Sequence, residues 1–250
     1  MKLLLILPLF LLLLFPAFSQ DINAIVKEAD RLEDIPNEMA ALQKFKEALR
    51  IQPTNVHALS KSSELCSRIG SRETNAANRD AWFKAALAYA NKAVSVAPLN
   101  DQANVSMAMI LGKSTLTKSG KEKLKNARLI RKHLETALKT NPNNYLAWHI
   151  LGRWNYEISN VSAVERAGAK IFYGGVPNGS IKNAIMYFEK SRSLMPQFVL
   201  NYLSLANAYH KDGQVTKAVS LLKMVQSFPL NTEDDAQHKA DALRMIKAWE

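Results

Sequence analysis

Residues 202–229 read YLSLANAYHKDGQVTKAVSLLKMVQSFP. Tyr202, Leu205, Ala206 and Tyr209 fall three and four residues apart, the spacing that lines one face of an α-helix. Gly213 interrupts the pattern, and glycine lets a chain turn where other residues resist. Ala218, Leu222 and Val225 then line a second helical face. Pro229 ends it, because proline cannot continue a helix interior. The stretch is therefore two helices, a glycine turn and a proline stop.

Moving outward, the same stop recurs at Pro53, Pro98, Pro142 and Pro196. The intervals are 45, 44, 54 and, to Pro229, 33 residues. The last is close to the tetratricopeptide period of about 34, and the others fit the same unit with roughly 10–20 residues inserted. Before three of the stops, small residues bracket a central position: Ala41, Phe45 and Ala48; Ala86, Ala90 and Ala93; Ala184, Phe188 and Ser191. Small residues let antiparallel helices approach, and a larger side chain between them fills the gap between units. Asn55, Asn100 and Asn144 follow stops and suit helix N-caps. The expectation is all-α: tetratricopeptide-like antiparallel pairs in a right-handed superhelix, with insertions and a C-terminal capping helix.

In chain order the pattern predicts helices over 22–32, 38–51, 56–69, 76–96, 101–117 and 121–139. A fourth pair lies within 145–196, with a detour between its helices, and a fifth covers 198–211 and 215–227. A terminal helix over 232–249 would present Glu233, Asp234, Gln237 and Lys239 to solvent. Residues 20–250 read as one domain of about five pairs plus that helix.

Of 250 residues, 48% are hydrophobic and 22% charged, which fits an ordered chain with a real core. Lys2 followed by the apolar run Leu3–Phe18, with Ala17 and Ser19 at a peptidase site, reads as a signal peptide over 1–19. The expected location is periplasmic or secreted, with a retained N-terminal anchor as the alternative. Cys66 is the only cysteine, so no intrachain disulfide forms, and its helical setting predicts a buried apolar role. The net charge of +11 favours acidic or anionic neighbours without naming one.

Several chemistries find no support. The five histidines lack metal-ligand spacing, and a single cysteine makes no zinc knuckle. No serine sits in a nucleophile elbow. Gly174, Gly175 and Gly179 resemble a phosphate nest, but no strand precedes them and no Lys-Ser/Thr follows. Asn178 or Ser180 as a helix cap is the better account. Lys118, Lys121, Lys123, Lys125, Arg128, Arg131 and Lys132 form the densest basic run. They read as a solvated face, without the interleaved aromatics that nucleic acid needs. Asn104, Asn160 and Asn178 open glycosylation acceptor triplets, which matter only in a eukaryotic host. No enzyme, cofactor, metal or nucleic-acid partner is expected.

The segments Leu151–Ser159, Gly175–Phe188 and Asn201–Ala206 resemble the regulator of microtubule dynamics family. The likeness covers roughly residue 76 to the end and is strongest from Tyr145 to Tyr209. It implies tetratricopeptide-like helices, no established enzyme site at these residues, and an association with microtubules. Some members are membrane-tethered at organelle contacts and linked to lipid binding. The leader implies an exported, bacterial-style member, so the fold and groove are expected to carry over, and a microtubule-associated role stands only as an alternative.

In such superhelices the first helix of each pair lines the concave face, which binds partners. Counting from Trp148, that face should carry His149, Arg153, Tyr156 and Glu157. The next unit should add Leu203, Asn207, His210 and Lys211, with Lys113, Met109 and Glu64 from earlier ones. Arg153 offers a planar fork for a carboxylate or phosphate, although Arg153 and Glu157 are also spaced to pair with each other. The expected partner is a protein or peptide. The alternative is a lipid, other apolar small molecule or anionic membrane surface, with Tyr145, Trp148, Trp154, Tyr156, Phe172 and Tyr173 walling a pocket.

Overall fold

Each proline stop in the sequence coincides with the end of a helix in the computed structural model. The structure describes residues 21–114 and 120–250. The proposed leader and Lys118 lie outside the described residues. The helices are α1 Ile22–Asp34, α2 Glu38–Ile51, α3 Val56–Arg72, α4 Ala76–Val96, α5 Asp101–Ser114 and α6 Gly120–Thr140. They continue as α7 Tyr145–Ser159, α8 Ala163–Tyr173, α9 Ile181–Leu194, α10 Val199–Lys211, α11 Val215–Met224 and α12 Asp235–Trp249. A 3-10 turn, Val225–Ser227, extends α11. Among the described residues, no helix is long and apolar enough to cross a membrane.

Local chemistry fixes the helix starts. The side-chain carbonyls of Asn55, Asn100 and Asn144 accept from the N–H groups of Ala58, Ala103 and Ala147 at 3.0, 2.9 and 2.9 Å. Each satisfies one of the N–H groups that a helix start leaves unpaired. Ser180 does the same for α9, accepting from Asn183 N at 3.1 Å.

Packing follows the small-residue ladder. Helices pair as α1 with α2, α3 with α4, α5 with α6, α7 with α9, and α10 with α11. Ala41, Phe45 and Ala48 are fully buried, as are Ala86, Ala90 and Ala93, and Ala184, Phe188 and Ser191. Gly152 shows why close approach demands small residues. A Cβ there would sit 2.6 Å from the Phe188 ring, so glycine lets α9 press that ring onto the α7 backbone. Gly213, at φ +80°, makes the turn of the last pair.

Two features depart from the expected layout. The detour within the fourth unit contains a further helix, α8, opened by a reciprocal cap between Ser162 and Glu165. The chain before α12 does not form a solvated cap. Glu233 and Asp234 precede that helix and pair with the first half of the molecule, while α12 packs on α10 and α11.

Candidate partner-binding groove

Helices α3, α5, α7 and α10 neighbour one another in turn, and α12 follows α10. Their shared face is the groove. Between α7 and α10, Arg153, Tyr156, Glu157, Ser204 and Asn207 line a depression of about 230 Å³ with Phe188 at its floor. Four of the expected groove residues thus come together. Ser204 is an addition, since its place on the helix gave no chemical signal.

The polar groups in this depression are only lightly engaged. Arg153 and Glu157 are 3.5 Å apart and both about half exposed, a geometry in which an ion pair contributes little. Asn207 Nδ2 donates to the Leu203 carbonyl at 3.0 Å, and its Oδ1 takes no donor among the described residues. Lys211 forms the rim, its Nζ 5.4 Å from the Tyr156 ring centre and hydrogen-bonded to Asn160 Oδ1. Burial, then the Glu157 charge, raise the Tyr156 phenol, so it stays a neutral donor.

Lys113, on the neighbouring helix α5, does not line the depression. It keeps access to solvent, yet desolvation and then the Arg153 cation hold its pKa below the ordinary lysine value, with Asp234 opposing. Lys113 and Arg153 are therefore mutually repelling cations on neighbouring helices.

Four expected groove residues are placed differently. His149 is buried, 3% exposed, with Nδ1 3.0 Å from Asn201 Oδ1 and its ring 4.9 Å from that of Phe198. Desolvation pushes its pKa down to about 3, although Asn201 favours the charged form. Leu203 is buried among Val199, Leu205 and Ala206. Both are corrected from open groove to packed interior, because the next helix closes over them. His210 is exposed at the end of α10, but its ring stacks on Trp249 at 4.1 Å. Met109 is half-buried, and Glu64 is buried, its carboxyl raised by desolvation despite Lys61 nearby.

The aromatics proposed to wall a pocket are dispersed. Trp154 is buried and its Nε1 donates to the Ala127 carbonyl at 2.8 Å. Trp148 stacks on Tyr187 and bonds the Pro142 carbonyl, Tyr145 meets Phe198 edge-on, and Phe172 points to solvent. Cys66 is buried, and burial raises its thiol to about 11.

At the other end of the groove lies a charge network that local spacing could not reveal. Glu33 meets Lys61 and Arg68 at 3.1 and 2.7 Å. Glu38, only 1% exposed, meets Arg68 and Arg72 at 2.9 and 2.6 Å. Arg72 extends the network to Glu233 and Asp234, both at 3.0 Å. Glu233 also accepts from the Glu38 N–H at 2.8 Å. Buried Asp235 shapes this crossing by accepting from the N–H groups of Asn231 and Thr232. The segment before α12 thus reaches back across the groove to the first two pairs.

The glycine loop after α8 is a different kind of site. Arg128 Nη2 donates to the carbonyls of Tyr173 and Gly175 at 3.0 and 2.8 Å. Gly174 and Gly175 adopt positive φ. The loop presents carbonyls to a cation, the opposite polarity to a phosphate nest.

A protein-family model described as Regulator of microtubule dynamics protein 1-3 matches residues 25–250. The chain belongs to this family. Regulator of microtubule dynamics protein 1 of Bos taurus is 27% identical over 165 residues, covering 66% of this chain and 52% of the relative. Regulator of microtubule dynamics protein 2 of Mus musculus is 25% identical over 158 residues, covering 63% and 38%. The chain spans about half the length, or less, of these curated relatives. A thermophilic TPR protein of Thermus thermophilus superposes with a TM-score of 0.63 at 16% identity, covering 90% of this chain and all of that one. The regulator of microtubule dynamics fold is here a tetratricopeptide-like stack of antiparallel helix pairs.

Proposed function

We propose that this family member is a non-enzymatic, exported scaffold that holds an extended segment of another protein across α7 and α10. The observation that carries this is the depression where Arg153 and Asn207 project from adjacent helices with their polar heads only lightly engaged. Asn207 suits a backbone amide, and Arg153 suits an acidic side chain, which would relieve its repulsion with Lys113. Tyr156, which lines the depression, offers apolar contact beside them. Ser204 has no histidine or carboxylate within hydrogen-bond reach among the described residues, so these groups suit binding more than nucleophilic chemistry.

Export rests on the apolar run Leu3–Phe18 and the small residues at Ala17 and Ser19. A carrier for an apolar small molecule is less favoured, because its aromatics are spent on separate packing contacts. Affinity capture from the host's exported fraction, with wild type beside Arg153→Ala and Asn207→Ala, tests the groove. A protein captured by wild type and lost from both variants supports it. An unchanged set of captured proteins overturns it, and lipid retained in native mass spectra would favour the carrier instead. N-terminal sequencing of the mature chain checks export. Co-sedimentation with microtubules tests the role that the relatives' names suggest.

A further inference from the structure

Helix α8 is amphipathic in the wrong sense for its own fold. Val164, Gly168, Ile171 and Phe172 share one face, at the i, i+4, i+7, i+8 spacing. Val164, Ile171 and Phe172 are 83%, 76% and 74% exposed, and only Ala169, off this stripe, is buried. An ordinary surface helix turns its apolar stripe inward. This one is held to the body by polar bonds. Arg166 donates to the Ile158 and Val161 carbonyls at its start, and Arg128 to Tyr173 and Gly175 at its end.

The neighbouring helix supplies charge. Glu165, kept acidic mainly by the Ser162 N–H and hydroxyl, also feels Lys123 of α6. Arg128, further along α6, binds the far end of α8. The two helices therefore lie side by side, Lys123 near the start of α8 and Arg128 near its end. Lys121, Lys125 and Lys132 share one exposed face of α6 with Arg128, Lys170 is exposed on α8, and none of these four lysines pairs with an acid among the described residues. The acids here are Glu122, Glu135, paired with Arg131 at 2.7 Å, and Glu165, which caps α8. A depression of about 270 Å³ between Arg128, Arg131, Lys132 and the glycine loop lies at the end of the stripe.

We propose that the α6–α8 face docks on an anionic lipid surface, the α8 stripe entering the headgroup–acyl boundary while the flanking lysines meet the headgroups. An exposed apolar stripe beside unpaired cations is the chemistry that such surfaces select. A symmetric contact with a second copy would bring two cationic bands together, which like-charge repulsion opposes. The surface is separate from the groove between α7 and α10.

A probe placed on the stripe reads this directly and isolates it from any binding by residues 1–20. Phe172→Cys in the full chain takes a polarity-sensitive thiol dye selectively, because Cys66 is buried. Leu99→Cys, exposed at the α4–α5 turn, is the control. The expected result is a blue shift at position 172 with phosphatidylcholine–phosphatidylglycerol vesicles. It should be absent with phosphatidylcholine alone, absent at position 99, and strongly reduced by raised salt. In the same assay Lys125→Glu with Lys132→Glu, which share one face of α6, should weaken vesicle affinity at least about tenfold, roughly the loss of two juxtamembrane cations. The proposal is overturned by no shift at 172, by equal shifts at both positions, or by full affinity after the double charge reversal. It is equally overturned by a dimer in sedimentation that dissociates on Ile171→Asp while vesicles give no shift. Circular dichroism unchanged in these surface variants excludes unfolding as the cause.

Discussion

Arg72 and Glu233 are 161 residues apart in sequence and 3.0 Å apart in space. Arg72 also holds Glu38 at 2.6 Å, and Glu38 is almost fully buried. The two contacts differ in weight. Removing the guanidinium leaves a buried carboxylate with Arg68 alone, whereas removing Glu233 deletes a partly exposed partner. Arg72→Ala is expected to lower unfolding free energy by about 2–4 kcal/mol, and Glu233→Ala by about 1 kcal/mol or less. Urea denaturation measures both. Equal losses would mean that the buried carboxylate does not depend on Arg72.

His149 makes a pH prediction. Its folded pKa is about 3, below the ordinary 6.5, because desolvation disfavours the imidazolium. Between those values the unfolded chain binds a proton that the folded chain refuses. Stability from this residue is therefore complete above about pH 6.5 and is lost as pH falls toward 3, with a slope approaching about 1.4 kcal/mol per pH unit. His149→Gln keeps a polar partner for Asn201 and removes the titration. Denaturation midpoints of wild type and variant should diverge in slope below pH 6.5 and run parallel above it. Parallel slopes throughout would show that the ring is not buried neutral.

Gly152→Ala tests the contact between α7 and α9. In an exposed helix the change gains about 0.5–1 kcal/mol. Here the new methyl would lie 2.6 Å from the Phe188 ring. Overpacking should win, with a net loss of about 1–3 kcal/mol in thermal or chemical unfolding. A stabilised variant would show that the ring moves aside freely.

Arg128→Ala removes two hydrogen bonds from the end of α8 without touching the main core. Amide exchange across 163–173 should quicken by about 1–3 kcal/mol of local protection, while the global midpoint holds. Unchanged exchange would place the anchoring of α8 elsewhere.

What the chain discloses on its face is steric and local. Proline stops, Asn caps and the small residues at Ala86, Ala90 and Ala184 act within a few residues of themselves, so they set helix ends and pairing in plain view. His149 is misread from sequence because helix spacing says which residues share a face, not how closely the next helix covers it. Phe198 and Asn201 do that covering, about fifty residues on. Helix α8 escapes notice because its apolar residues face outward and its anchors are polar bonds, a pattern that reads as a loop. The pairing of Arg72 with Glu233 and Asp234 has no local trace at all. In the groove, helix spacing alone brings Arg153, Tyr156, Glu157 and Asn207 to one depression. Lys113, also expected there, is not among the residues lining that depression, though it feels the Arg153 charge from α5.

A linear array of repeats ordinarily melts from whichever end is weaker, each unit answering only to its neighbours. Here the segment before α12 grips the first two pairs, so units far apart in sequence answer to each other. Unfolding of this chain should be more nearly all-or-none than that of an open array of equal length, with equilibrium probes in the first and last pairs reporting one midpoint. Cutting that grip should split the transition in two.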